Sequence, residues 1–410
     1  MDERLTSIDL FAGCGGLSLG LHRAGWDGIF AIERDPMAFD TLRSNLVDDG
    51  APYGAYQKWP EWLPVTPHNI DEFLGNETFR RSLAELAGSV TLVAGGPPCQ
   101  GFSVGGKRNG ADERNHLVHR QLELVELVQP KVVLIENVEG ITRAFRSRPR
   151  DGGAVSVASE VVDALAALGY RASFGIADAS RFGVPQTRRR TLIVGLRNDL
   201  EVEPSAFFDA LERVRLPHLA DLGLPSDRAV TAKEAIDDLL SQRRVVCPDS
   251  AKFESSTYRK ARSAFAIAMR VGIPDGSIPD SHRYTKHGGR ILELYQSAHE
   301  TQPKGRLSKE FLLASGTKKD KKVLIDPKGP VSTITTHPDE FIHYAEPRNI
   351  TVREMARLQS FPDDYRFKGR YTINGPRRKF DVARCSQVGN AVPPYFAQAI
   401  GRALREVLGA

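Results

Sequence analysis

Ser7-Ile-Asp-Leu-Phe-Ala-Gly-Cys-Gly-Gly-Leu-Ser18 is a short apolar strand pattern that runs straight into a glycine-rich turn, with a helical pattern behind it. Gly13, Gly15 and Gly16 let backbone approach a ligand closely, although such turns also serve as plain tight corners. Working outward, the pattern recurs. Strands are expected over Ser7–Leu10, Ile29–Glu33, Val90–Ala94, Val132–Glu136 and Leu192–Leu196, alternating with amphipathic stretches. In Ala154–Leu168 the residues Val155, Ala158, Val161, Val162 and Leu165 repeat at helical spacing, and Gly169 is placed to end the helix in a left-handed conformation. This alternation predicts an α/β domain of Rossmann-like class, a mostly parallel sheet covered by helices.

A chain of 410 residues exceeds the ~250–300 that one hydrophobic core usually organises, so a second, smaller domain is expected. After about Asn198 the alternation fades into a stretch rich in Pro, Gly and basic residues, including Gly288-Gly289 and Lys318-Lys319-Asp320-Lys321-Lys322. Order returns near Asn349. Thr351 and Glu354 have the spacing of a capping box, and a last helix is expected from about Pro393 to Leu408. The expected division is residues 1–198 for the first domain, 199–335 for the second, and 336–410 as a return segment completing the first.

Hydrophobic residues make up 41% and charged residues 26%, enough for a full core and against disorder. No apolar run approaches the ~20 residues of a bilayer span, and Met1-Asp-Glu-Arg4 lacks a signal pattern, so a cytoplasmic protein without a membrane partner is expected. Cys14, Cys99, Cys247 and Cys385 lie too far apart for a disulfide framework or a cysteine zinc site, and no metal is expected. The net charge of +5 is too mild to identify a nucleic-acid binder. Its distribution says more: between Arg243 and Lys322, 17 Lys or Arg stand against 8 Asp or Glu. That concentration suits a phosphate backbone, or else a merely solvated basic face.

Five stretches carry chemistry. Twenty residues after Gly13, Glu33 ends an expected strand, where a carboxylate can accept hydrogen bonds from both hydroxyls of a ribose. Ser18 stands where the dinucleotide fingerprint wants its third glycine, which disfavours a nicotinamide cofactor. The adenosine of S-adenosylmethionine, which has no pyrophosphate, suits the turn better. Val90–Ala94 runs into Gly95-Gly-Pro-Pro-Cys-Gln-Gly-Phe-Ser103, so Cys99 emerges beyond the carboxyl end of a strand, where open α/β sheets place their ligands. A free thiol has a pKa of about 8.5, so attack by Cys99 needs a nearby cation or helix terminus to favour the thiolate. Val132–Ile135 delivers Glu136-Asn137-Val138 to the same sheet edge, and Glu136 there can act as an acid or simply pair with a lysine. In Gln186-Thr-Arg-Arg-Arg190, alternation puts Gln186, Arg188 and Arg190 on one face and Arg189 on the other. Two guanidinium groups would then face the cleft. In Gln387-Val-Gly-Asn-Ala-Val-Pro-Pro394, Asn390 sits in a turn before a helix that opens on proline.

In this order, Asp9–Gly16, Ala31–Asp35, Gly95–Ser103, Glu136–Val138, Gln186–Arg190, Thr351–Pro362 and Gln387–Pro394 resemble the motifs of the cytosine-specific (carbon 5) DNA methyltransferase family of bacterial type. The resemblance spans nearly the whole chain apart from roughly 200–330. It implies methyl transfer from S-adenosylmethionine to carbon 5 of a cytosine flipped out of double-stranded DNA. Cys99 would add to carbon 6, Glu136 would contact ring nitrogen 3, Asn137 would support that geometry, and Arg188 and Arg190 would assist the activated base. Cofactor contacts are implied for Phe11, Gly13, Gly15, Gly16, Glu33, Arg34, Pro98, Leu117, Asn390 and Val392. Gly105–Arg114 would be a mobile loop over the flipped base, and the variable region would recognise the target, with Tyr284–Arg290 and Ser315–Lys322 as groove-facing loops.

Two positions depart from the family pattern: Arg34 stands where an aromatic residue often lies beside the adenine, and Asn69-Ile70 where an aspartate usually contacts its amino group. A monomer is expected, with a restriction endonuclease as functional partner. The alternatives are a cytosine-5 methyltransferase of transfer RNA and a catalytically inactive DNA-binding regulator of the same fold.

Overall fold

The computed structural model describes residues 5–98, 113–143, 155–317, 319, 321–372 and 381–410. The chain forms two compact units: residues 1–179, 189–217 and 396–410 make the first, and residues 180–188 and 218–395 the second.

The first unit is built on a six-stranded sheet. Strand β1 (Thr6–Leu10) leads through helix α1 (Gly16–Arg23) to β2 (Asp27–Ile32), then α2 (Pro36–Leu46), β3 (Leu92–Gly95), α3 (Glu113–Val128) and β4 (Val132–Val138). Helix α4 (Val157–Ala167) and strand β5 (Tyr170–Asp178) follow; β6 (Gln186–Thr187) belongs to the second unit, and β7 (Arg189–Arg197) to the first again. The strand order is β2-β1-β3-β4-β7-β5. The first four pair in parallel, while β7 runs antiparallel to both neighbours. A parallel sheet covered on both faces demands unbroken apolar strands, and Val132, Val133, Leu134 and Ile135 are all fully buried. Ile8, Val93, Val133 and Ile193 pack with Leu122, Val125 and Leu165 of the covering helices in one core.

Local chemistry sets the boundaries. Asp35 accepts from the amides of Met37 and Ala38 to cap α2, whose first residue is Pro36. Ser156 caps α4, and Gly169 follows that helix at φ 87° in the left-handed region, as its sequence position predicts. The terminal helix, Pro394–Val407, matches the expected span closely. Gly401 lets it approach α1, because a Cβ there would lie 2.7 Å from that of Ala24, and the indole of Trp26 donates to the Gly401 carbonyl.

The second unit has small sheets and a charged interior. Short strands Gly305–Arg306, Val323–Leu324 and Phe341–Ile342 pair beside the helix Gly289–Thr301. The capping box forms: Glu354 accepts from the Thr351 amide, and the Thr351 hydroxyl accepts from the Glu354 amide. Arg357, fully buried, forks onto Asp363 at 2.6 and 2.7 Å and reaches Asp238 at 3.1 Å. Arg348 forks onto Glu354 at 2.6 and 2.8 Å. Such charges stay buried because each has its counter-charge and its hydrogen bonds. Among the described residues, no helix is long and apolar enough to cross a membrane.

Candidate active site

The glycine turn is held from two sides. Phe11, Gly13 and Gly15 take φ values of 57°, 57° and 86°, conformations natural for glycine and costly for phenylalanine. Glu33, just past β2, accepts from the Gly13 amide at 2.9 Å and from the Asp35 amide at 2.7 Å, and burial raises its pKa. From the other side, Tyr56 donates to the Ser18 hydroxyl, which donates to Asp9 at 2.5 Å. Burial pushes the Asp9 carboxyl up to about 7. In the sequence Ser18 reads only as a missing third glycine, and nothing there pairs it with Asp9 and Tyr56. The signal available is a carboxylate between Ile8 and Leu10 in a buried strand. Cys14 is buried in the turn with its thiol pushed up to about 12, and Cys247 and Cys385 are buried as well.

Of the other candidate cofactor residues, Arg34 and Pro98 are exposed, and Leu117 is half-buried on α3 against the core. Asn69 caps the helix Ile70–Gly75 by accepting from the Asp71 amide.

The ends of β3 and β4 are parallel neighbours, with Gly95 opposite Ile135. The next residue, Glu136, is 8% exposed, and its Oε1 lies 2.9 Å from Nε of Arg190 on β7. Gly96 leaves room for this carboxylate, since a Cβ there would come within 3.3 Å of its Oε2. Asn137 donates from Nδ2 to the Pro97 carbonyl at 3.2 Å and accepts from the Val138 amide at 2.7 Å. It therefore fixes the backbone two residues before Cys99. Cys99 itself and positions 105–112 of the expected loop lie outside the described residues; Glu113 and Arg114 open α3.

Gln121 is a further residue the sequence did not reveal. Its side chain is fully buried and donates to the Leu134 carbonyl on β4. It lies so close to β3 that a Cβ on Gly95 would come within 2.7 Å of its Oε1. One carboxamide thus spans the two strands that lead to Cys99 and Glu136.

The Gln186–Arg190 alternation holds in burial: Gln186 and Arg188 are buried, whereas the Arg189 side chain is 55% exposed. The strand, however, breaks after Thr187. In the second unit β6 pairs with Val331–Ser332, and Gln186 bonds Leu358, Gln359 and Ile334. Arg188 donates to the carbonyls of Gly389 and Ile334. Arg190 belongs to the first unit, with Glu136. Arg188 therefore holds the turn of Asn390, which is exposed at the end of helix Arg384–Asn390, while Val392 is buried.

Comparison with known proteins gives the family. The profile of the family described as C-5 cytosine-specific DNA methylase matches residues 5–406. The Type II methyltransferase M1.HphI of Haemophilus parahaemolyticus is 29% identical over 403 residues, which is 98% of this chain and 86% of that protein. M.XorII of Xanthomonas oryzae pv. oryzae is 30% identical over 436 residues, 99% of this chain and 85% of its own. A crystal structure described as a DNA modification methyltransferase encoded within a prophage (E. coli) has a TM-score of 0.64 at 24% identity, covering 99% of this chain and all (100%) of that one. The S. pombe Dnmt2 methyltransferase has a TM-score of 0.52 at 15% identity, covering 99% and 100%. At those identities the likeness shows a shared fold. The chain belongs to the C-5 cytosine-specific DNA methylase family and is a DNA cytosine-5 methyltransferase.

Proposed function

We propose that this enzyme methylates carbon 5 of a cytosine rotated out of a specific site in duplex DNA, with S-adenosylmethionine as cofactor and Cys99 as covalent nucleophile. The observation that supports it best is the join of β3 to β4: Asn137 grips the Pro97 carbonyl, and Glu136 stands beside it against Arg190. The glycine turn and Glu33 fit a nucleoside cofactor, because left-handed backbone leaves space and the carboxylate accepts hydrogen bonds. Phe11, Gly13, Gly15, Gly16, Glu33, Arg34, Pro98, Leu117, Asn390 and Val392 are the residues proposed to hold it. When bound, S-adenosylmethionine supplies an electrophilic methyl group.

The protein's own residues do the rest. Rotating the base out of the stack costs a few kcal/mol, offset by contacts from the basic region 199–335, the proposed recognition segment. The Cys99 thiolate adds to carbon 6, and the displaced electron pair runs toward ring nitrogen 3, where Glu136 places a proton. Arg190 holds the Glu136 carboxyl in position, and Arg188 holds the Gly389–Asn390 turn. Carbon 5 is thereby made nucleophilic. Once it carries the methyl group, a base, water in the simplest case, takes the carbon 5 proton, the carbon 6–sulfur bond breaks to release Cys99 as thiolate, and ring nitrogen 3 returns its proton to Glu136. The Type II names of the relatives support a role beside a restriction endonuclease.

The test is covalent capture. Duplex DNA with 5-fluorocytosine in the target, plus cofactor, should become joined to Cys99, and Cys99→Ser should abolish both capture and turnover while still binding DNA. Methylation that persists in Cys99→Ser, or label entering transfer RNA alone, overturns the proposal.

A further inference from the structure

The arginines inside the second unit are almost all spent on structure. Arg270, Arg348, Arg353, Arg357 and Arg384 each pair with a carboxylate. Arg283 does not. Its guanidinium carbon lies 4.1 Å from the ring centre of Phe253 and 4.0 Å from that of Tyr371. Among the described residues its hydrogen bonding amounts to one contact, from Nη1 to the Ser250 hydroxyl at 3.3 Å. The neighbouring acid, Asp249, is taken: it accepts from Tyr371 at 2.7 Å and from Arg384 at 2.6 Å. A guanidinium carries five N–H donors, so among the described residues most of this fork has no assigned acceptor.

The support around Arg283 is rigid. On one side His282 meets the Thr351 hydroxyl at 2.9 Å, and its carbonyl accepts from Ser255. On the other, the Tyr284 amide donates to the Glu254 carbonyl at 2.8 Å. Two aromatic rings hold the side chain itself, so its ordering cost is met before any ligand arrives. Burial among them lowers its pKa from the ordinary arginine value, as expected of a cation that has shed part of its water. The side chain remains half-buried rather than enclosed. Lys286, three residues on, is exposed and lies 5.7 Å from the Phe253 ring centre.

A phosphate needs only a mobile cation, which Lys286 supplies. A planar, pre-oriented, partly dehydrated fork matches the paired acceptors O6 and N7 on the major-groove edge of guanine, the commonest specific contact of arginine with DNA. We propose that Arg283 is a specificity-determining residue that reads one guanine of the target sequence, with Lys286 beside it on the phosphate backbone. This rests on the reading of the enzyme as a site-specific DNA methyltransferase.

The test begins with bisulfite sequencing of DNA from cells expressing the wild-type enzyme, which defines the target. Wild type, Arg283→Met and Lys286→Ala are then titrated, by fluorescence anisotropy, with that duplex and with duplexes carrying 7-deazaguanine at each guanine in turn. Wild type should lose roughly ten- to hundredfold in affinity at one guanine. Arg283→Met should show a similar loss on natural DNA and no further loss at that guanine. Lys286→Ala should weaken target and random DNA alike and flatten the salt dependence. If Arg283→Met does not fold, Arg283→Gln, which keeps part of the stem and a polar end but loses the charge and the fork, gives the same reading.

A target without guanine overturns the inference. So does an Arg283 variant that keeps the wild-type pattern, or one that weakens all sequences equally. A wild-type enzyme that leaves cytosines in DNA unmethylated overturns the underlying function instead.

Discussion

Ser18 donates its hydroxyl hydrogen to Asp9 across 2.5 Å inside the first unit, at a place where both side chains are 5% exposed or less. The second carboxylate oxygen of Asp9 has no hydrogen-bond partner among the described residues. Burial makes ionised Asp9 costly and, with the charge of Glu33 nearby, pushes its pKa up to about 7 against the hydrogen bonds from Ser18. Below about pH 4 the folded and unfolded chains both hold this proton, and the group contributes nothing. Between about pH 4 and 7 the unfolded chain releases it first, so stability falls as pH rises, and above 7 the penalty is constant. Asp9→Asn should accordingly gain on wild type between pH 5 and pH 8, by on the order of a few kcal/mol at the upper end. Urea melts at the two pH values read this directly, and an unchanged difference contradicts the assignment.

Asn137→Ala removes the donor that fixes the Pro97 carbonyl. A displacement near 1 Å at a reacting centre costs on the order of a hundredfold in rate. The expected result is a kcat lower by that factor with a cofactor KM close to wild type. Steady-state kinetics on plasmid DNA separates the two.

Arg190→Ala strands the Glu136 carboxylate, whose partner lies 2.9 Å away with both side chains about nine-tenths buried. A loss of about 2–3 kcal/mol is expected, below the value for a fully enclosed pair because some water reaches both groups. Adding Glu136→Gln should recover part of it. Calorimetry on the two single variants and the double variant measures the coupling, and strict additivity would deny that the pair acts together.

Much of this was legible in the residues, and the boundary follows range. The capping box of Thr351 and Glu354, the left-handed Gly169 and the apolar run Val132–Ile135 are set by neighbours in sequence, and each forms as its pattern predicts. The partners of Arg357 lie 6 and 119 positions away, and no local pattern encodes the longer of these. The Gln186–Arg190 stretch shows both sides. Its alternation survives as burial, but strand pairing changes at Arg188, so the two candidate arginines find different partners.

Gly95→Ala places a methyl group 2.7 Å from Gln121 Oε1. Overpacking of this kind costs about 1–3 kcal/mol and shifts β3, so both stability and kcat should drop. In Gly95→Ala/Gln121→Ala the space returns, and thermal stability should exceed that of Gly95→Ala alone. A double variant no better than the single one rejects the steric explanation.

Arg357→Met takes one of two arginines from each of two buried carboxylates, leaving Arg353 3.6 Å from Asp363 and Arg270 3.2 Å from Asp238. A loss of about 2–3 kcal/mol is expected, less than for a carboxylate stranded alone, and still a large share of the margin of a typical protein. Soluble yield and the urea midpoint register it.

The three sulfhydryls at Cys14, Cys247 and Cys385 are shielded from solvent, and the first is held far from its thiolate form. Alkylating reagents need an accessible thiolate, so these side chains stay silent in the native enzyme at neutral pH. Peptide mapping after brief iodoacetamide treatment then has a quiet background, against which any adduct at Cys99 stands out. If Cys99 is the nucleophile proposed above, bound DNA and cofactor should protect it from the reagent, a readout that needs neither turnover nor a substituted base.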